Sequence, residues 1–381
     1  MPGRSQSAHT PNTDAWLQSR ALNLLRAGCL EMHYQPILDL RSGRVRKVEA
    51  LARLRDGDEV LPPAAFLPHF GQEELYELYI QGLDRALHDR NLWMEHGLEL
   101  DLSVNLPPSA LCDSRYFEAT YRALVRHACQ PSALTLEILE GNSIDCVDHA
   151  AEQFHKFTAL GVRMAEDDLG SGHSSLTRLR ELSFDWVKID RGIVRLTGND
   201  NIEVLHFVHQ LTRLSHALGK TVIVEGVEDL ALIDAITILG ADAAQGFGIA
   251  RPMPARHLLD WHRERGTNRS SQYTEAELTR LAKLLLVEER LQACQEPVAA
   301  SRRCDVAANI EPAGNGGLPQ WWNDMSCGAC QLTRFRAEVN AIYVGDRKRV
   351  AEKDALIHAA ALHGVRSNAY RQARRELSAA T

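Results

Sequence analysis

Val162-Arg163-Met164-Ala165-Glu166-Asp167-Asp168 is a short apolar run that stops in carboxylates. A parallel strand buried on both faces reads as such a run, and in a closed α/β barrel all strands end at one mouth, where the active site lies. The pattern recurs on either side. Upstream are Val48-Glu49-Ala50-Leu51, Leu102-Ser103-Val104-Asn105 and Leu134-Thr135-Leu136-Glu137. Downstream are Phe184-Asp185-Trp186-Val187-Lys188-Ile189-Asp190 and Val222-Ile223-Val224-Glu225, and Gln245 ends the series. The chain thus gathers carboxylates, an amide and a lysine at a single mouth. Crowded carboxylates repel unless a cation neutralises them, and oxygen-rich clusters suit magnesium or manganese.

The surrounding sequence supports that frame. Ala15 to Ala27 has helical periodicity, which Gly28 stops. Met32 to Leu40 reads as a strand and pairs, across the turn Arg41-Ser42-Gly43, with a second strand over Val45 to Leu54. Helices are expected over 73–95, 116–128, 147–160, 174–181, 202–218, 230–239 and 255–265. Alternating strands and helices mean parallel strands with right-handed crossovers, and a span of about 250 residues is that of a (β/α)8 barrel. The expected fold is therefore an α/β, TIM-like barrel with one antiparallel strand, plus a mainly helical C-terminal extension. Its expected organisation is a flexible N-terminus over 1–17, the barrel over 18–265, a polar linker over 266–274 and a helical region over 275–381.

Composition sets limits on function. The 381 residues carry a formal charge of −7, which gives no general electrostatic attraction to nucleic acid. No apolar run approaches the roughly 18–20 residues that span a bilayer, and Met1 to Asp14 lacks the apolar core of a signal peptide. A cytoplasmic protein is expected. Cys29, Cys112, Cys129 and Cys146 lack metal-ligand spacing and are expected to be reduced, small apolar residues.

Seven motifs, in order, resemble the EAL-domain family of cyclic-di-GMP phosphodiesterases. They are Glu49-Ala50-Leu51 with Arg53, Val104-Asn105-Leu106, Glu137-Ile138-Leu139-Glu140, Asp167-Asp168-Leu169-Gly170-Ser171-Gly172, Lys188-Ile189-Asp190-Arg191, Glu225-Gly226-Val227-Glu228 and Gln245-Gly246-Phe247. Singly, each has an ordinary reading as a helix cap, a turn or a solvated charge. Their joint order at barrel-strand spacing is what those readings do not supply. The resemblance implies hydrolysis of cyclic di-GMP to linear pGpG with two Mg2+ or Mn2+ ions. It implies Glu49, Asn105, Glu137 and Asp167 as ligands of the first ion, with Asp167 bridging to a second held by Asp168 and Glu225. Lys188 would orient the nucleophilic water, with Lys188 or Glu225 assisting proton removal. Arg53 and Gln245 would contact the nucleotide, Glu140 would anchor the loop after Asp168, and Glu228 would support the site from behind. A homodimer through the barrel is also implied.

Four positions depart from the family's usual residues: Leu169 for Phe, His173 for an aromatic, Val224 for Ala and Glu166 for an apolar residue. They bear on the loop and on dimer coupling through it. A carboxylate at 166 is expected to face solvent, a basic partner or the metal site, because burying it unpaired costs several kcal/mol. The alternative function is a weak or inactive barrel that senses cyclic di-GMP, or a regulator that binds DNA or protein through its last helices.

The tail offers two motifs. Cys327-Gly328-Ala329-Cys330 has the spacing of half a zinc knuckle, but neither Cys294 with Cys304 nor His358 with His363 has the close spacing of a second half. Buried reduced cysteines are the expectation there and Zn2+ the alternative. Residues 354–377 loosely resemble a helix-turn-helix with Arg366, Arg371, Arg374 and Arg375 available for phosphates; a terminal hairpin with a solvated basic face is the expectation.

Overall fold

A hairpin opens the barrel. Strands β1 (Leu30–Asp39) and β2 (Arg44–Asp56) pair antiparallel around the expected turn. The structure, a computed structural model, describes residues 11–139, 147–170, 176–195, 201–267, 276–293, 328–346, 349–363, 365 and 368–379. The remaining strands are β3 (Glu59–Leu61), β4 (Asp101–Leu106), β5 (Leu134–Leu139), β6 (Arg163–Leu169), β7 (Trp186–Ile189), β8 (Thr221–Val224), β9 (Ala243–Gln245) and β10 (Met253–Pro254). From β2 through β4, β5, β6, β7 and β8 to β9, every neighbour is parallel. Strand β1 then pairs antiparallel with both β9 and β2, closing an eight-stranded barrel with one reversed strand. The short β3 and β10 extend β2 and β1.

The apolar runs form strands because both of their faces are covered. Leu134, Leu136, Ile138, Val222, Ile223 and Val224 are all fully or almost fully buried. Each such side chain removed from water contributes about 1.5–3 kcal/mol. Helices Gln72–Glu95, Arg115–Arg126 and Val147–Leu160 lie where periodicity predicts them. The first helix spans Pro11–Arg26, so it begins ahead of Ala15 and inside the stretch expected to be flexible. Pro11 suits a first helical position, since it lacks the N–H that the first turn leaves unpaired.

The chain divides into two compact units. One comprises Met1–Ile193, Arg213–Asp229 and Asp242–Ser271 and contains every barrel strand; the other comprises Val194–Thr212, Leu230–Ala241 and Gln272–Thr381. In the second unit, helix Glu277–Ala293 packs against helices Leu230–Ile238 and Gly328–Ile342, and Val350–His363 packs against Asn368–Ala379. Leu281, Leu284, Phe335, Val339, Tyr370 and Leu377 are buried there. Glu288, 3% exposed, accepts from Tyr370 Oη at 2.9 Å and from Arg374 Nη1 at 2.8 Å. Burial pushes the Glu288 carboxyl up, against the pull of Arg374 and Tyr370. Arg374 is therefore engaged in the protein itself, while Arg371 and Arg375 are exposed. The linker expected over 266–274 starts inside helix Ala255–Thr267, and its residues 268–274, the Cys327 thiol and Arg366 lie outside the described residues, as does the side chain of Cys330. Cys29 and Cys129 are free thiols as expected, but Cys112 is disulfide-bonded, against the expectation of a reduced residue. Spacing along the chain carries no information about which sulfurs the fold brings together.

Candidate active site

Parallel register brings the strand-end side chains into one neighbourhood. Glu49 lies beside Ser103 on β4, Asn105 beside Glu137 on β5, and Gln35 of β1 opposite Glu49. At the centre is Lys188 on β7, 1% exposed. Its Nζ lies 2.6 Å from Glu225, 2.8 Å from Glu137, 3.0 Å from Asp167 and 3.5 Å from Glu49. Asn105 Nδ2 donates to Glu49 Oε1 at 3.0 Å, and Gln245 Nε2 donates to Glu49 Oε2 at 2.6 Å. Gln245 Nε2 also reaches Gln35 Oε1 at 3.2 Å, and Gln35 donates to the Ala250 carbonyl at 3.1 Å.

The charges are unbalanced, and the titration of the cluster reflects it. Burial, with the nearby charges of Glu49 and Asp167, pushes Glu137 up to about 8. Burial, Asp167 and Glu49 likewise push Glu225 up to about 7. Asp167 is also raised, by burial first. Glu49 is the exception. Burial acts upward on it too, but Lys188 and the hydrogen bonds from Gln245 and Asn105 outweigh burial and hold it below its usual value. Burial disfavours the Lys188 ammonium, yet its four carboxylate neighbours raise it well above the ordinary lysine value. One fixed positive charge thus faces more carboxylates than it can neutralise.

Asp168 adds a second focus. It has φ of 62°, a left-handed conformation that Asp tolerates better than most residues, and its N–H donates to Asp167 Oδ1 at 3.2 Å. Burial and the neighbouring Asp167 and Asp190 raise its carboxyl to about 6. Carboxylate oxygens of Asp167, Asp168 and Glu225 all lie within 4.8 Å of one another, a grouping able to hold a metal ion. Two glycines let the chain turn immediately beyond functional side chains. Gly226, after Glu225, has φ of 67°, and a Cβ on Gly246, after Gln245, would stand 2.1 Å from the Val227 carbonyl oxygen.

The expected site residues divide clearly. Glu49, Asn105, Glu137, Asp167, Lys188, Glu225 and Gln245 form one connected cluster, with Asp168 at its edge. Arg53 is half-buried on β2, with Nη1 donating to the Ala52 carbonyl at 2.7 Å. Glu228 is exposed, and no hydrogen bond ties its side chain to the described residues. Glu140 and His173 lie outside the described residues. Glu166 is fully buried and finds a basic partner, Arg178 Nη2 at 2.7 Å, on helix Leu176–Glu181. Three contributors were not assigned a role from sequence. Ser103, a buried hydroxyl between Leu102 and Val104, donates to Glu137; Gln35 meets Gln245; Asp190 meets Asp168. A polar residue inside a buried strand was the available signal for Ser103.

An α/β barrel closed by one reversed strand, with acidic residues around a lysine at the strand ends, defines a class of oxygen-donor sites suited to hard divalent cations. The chain belongs to the EAL domain family, whose model matches residues 18–252. Among curated relatives, the bifunctional diguanylate cyclase/cyclic di-GMP phosphodiesterase MucR of Pseudomonas aeruginosa is 32% identical over 65% of this chain and 37% of its own length. The cyclic di-GMP phosphodiesterase RocR of the same organism is 32% identical over 61% of this chain and 60% of its own. The chain thus spans less than two thirds of the length of either. A solved structure of the MucR phosphodiesterase in complex with c-di-GMP matches with a TM-score of 0.58 and 30% identity, over 64% of this chain and 99% of that one. No helix among the described residues is long and apolar enough to cross a membrane.

Proposed function

We propose that this protein is a metal-dependent phosphodiesterase that opens cyclic di-GMP to linear pGpG. The observation that carries this reading is the convergence of Glu49, Glu137, Asp167 and Glu225 on Lys188, all within 3.5 Å of its Nζ. The donor set fits divalent magnesium or manganese, since it offers hard oxygen ligands and holds carboxyls raised by burial and by one another's charge. Glu49, Asn105, Glu137 and Asp167 would hold one ion, and Asp167, Asp168 and Glu225 a second. Two such ions neutralise phosphoryl oxygens and make water a strong nucleophile near neutral pH.

The chain's own residues supply the remainder. Lys188, with three N–H donors, orients the attacking water and offsets developing negative charge. Glu225 lies 2.6 Å from Lys188, which places its carboxylate where it can take a proton from the water that Lys188 orients. Gln245 fixes Glu49 and, with Arg53, faces the nucleotide. The same reading takes the protein as a cytoplasmic homodimer that associates through the barrel; light scattering of the purified chain tests the dimer. The catalytic test incubates the protein with Mg2+ or Mn2+ and cyclic di-GMP and follows pGpG. Cleavage is expected in the wild type and lost in Glu49→Ala. Cleavage that survives Glu49→Ala contradicts the ligand assignment, and bound but intact nucleotide under both metals favours a sensor.

A further inference from the structure

The face of the sheet that carries the acidic cluster continues outward along β1 and β2. Opposed residues there are Gln35 with Glu49, His33 with Leu51 and Glu31 with Arg53, with no irregularity between them. Alternate residues of a strand share a face, and Gln245 touches both Gln35 and Glu49. His33, Glu31, Arg53 and Arg55 therefore line the same wall beyond the cluster. At about 3.4 Å per residue, His33 stands about 7 Å outward from the Gln35 level.

That outer wall is held in place by its own ion pairs. Arg55 grips both oxygens of Glu31, Nε at 2.7 Å and Nη2 at 3.0 Å. His33 Nε2 lies 2.6 Å from Glu31 Oε1, and the His33 side chain is 15% exposed. A carboxylate only accepts, so Nε2 carries the hydrogen and the neutral ring keeps its lone pair on Nδ1. Nδ1 has no hydrogen-bond partner among the described residues. Burial, together with the charges of Arg53 and Arg55, lowers the affinity of the ring for a second proton. The wall thus offers a fixed acceptor, His33 Nδ1, near a fixed donor, the Arg53 guanidinium.

We propose that His33 determines base specificity, its Nδ1 accepting the N1–H of a guanine whose O6 accepts from Arg53. This rests on the phosphodiesterase reading and specifies the base-recognition part of that site. Guanine carries an acceptor, O6, beside a donor, N1–H. Adenine reverses both, with an amino group in place of O6 and a lone pair on N1, so donor would face donor and acceptor would face acceptor. Mismatched polar groups left unpaired on binding give the larger part of such discrimination.

The test compares wild type, His33→Phe and His33→Gln with cyclic di-GMP and cyclic di-AMP in Mn2+. His33→Phe is expected to raise KM for cyclic di-GMP about tenfold and to narrow the preference over cyclic di-AMP by a similar factor. His33→Gln, whose side-chain carbonyl accepts, is expected to return KM to within about threefold of wild type. His33→Ala replaces the Phe variant if the phenyl ring prevents folding. A KM for His33→Phe or His33→Ala equal to wild type overturns the proposal, as does an equal loss in the Gln variant. If wild type leaves cyclic di-GMP intact, the hydrolytic reading fails. Dissociation constants of the same proteins for cyclic di-GMP then decide the role of His33 by itself.

Discussion

Lys188 answers four carboxylates with one ammonium, and this imbalance governs what single substitutions will do. Lys188→Met removes the one cation that all four share. Leaving buried carboxylates without their partner is expected to lower the stability of the metal-free protein by about 3–5 kcal/mol. A bound cation substitutes for part of that charge, so the deficit is expected to shrink in Mn2+, whereas turnover falls about 10²–10⁴-fold. Chemical denaturation with and without Mn2+, beside a product assay, checks both; a deficit of equal size under the two conditions counts against a cation site. The sign of the pH dependence follows from the raised carboxyls. Glu225 and Glu137 keep their protons up to about 7 and 8, while the unfolded chain loses them near the ordinary value of 4.5. Their contribution to stability is full below that value and is lost as pH rises through about 7 to 8. Metal competes with those same protons. The rise in melting temperature on adding Mn2+ is therefore expected to be larger at pH 8 than at pH 6, and a shift independent of pH would contradict the assignment.

At the scale of elements, the fold places polar residues where each strand face requires them. Strand β6 shows this in consecutive residues, since Glu166 turns to Arg178 on the adjoining helix while Asp167 turns to Lys188. Period-two alternation makes these opposite directions unavoidable. The last helix, Asn368–Ala379, applies the helical counterpart. Tyr370, Ala373 and Leu377 are buried on one face, and Arg374 on that face reaches Glu288. Arg374→Met is expected to destabilise the second unit by about 3–5 kcal/mol, because Glu288 stays buried and loses its cation. A urea titration followed by circular dichroism reads this directly. The double variant Arg374→Met with Glu288→Met should recover most of the loss, and a failure to recover would mean that packing rather than charge sets it. DNA binding by this helix would have to rely on Arg371 and Arg375, since Arg374 is already engaged.

At the scale of the whole molecule, the second compact unit draws segments from both sides of β8 and from the tail. Leu230–Ile238 is apolar on nearly every face, and its partner within that unit is Glu277–Ala293. Deleting Gln272–Thr381 would expose apolar surface of helix Leu230–Ile238, and a loss worth a few buried side chains is expected to lower the melting temperature by about 10 °C. A scan of the truncated protein checks this, and an unchanged midpoint would make the tail a separate module. Much of the architecture was legible beforehand, because apolar runs of strand length, helices between them and a leading hairpin leave few packings other than a barrel with one reversed strand. That the residues proposed as ligands would meet was legible for the same reason, as each stands at or just beyond a strand end and parallel register carries every end to one mouth. Ser103, Gln35, Asp190 and the Arg178 partner of Glu166 were not legible, since hydrogen bonding between distant residues depends on the tilt and closure of the sheet. Nor was the grouping of segments Val194–Thr212 and Leu230–Ala241 with the tail, which periodicity within a helix cannot specify. By itself the sequence determined which residue types stand at the ends of which elements, because period and polarity are local properties. Only the tertiary structure decided how many carboxylates share one lysine, and therefore how strongly the site calls for a cation, because Coulomb energy depends on distances that exist only after closure.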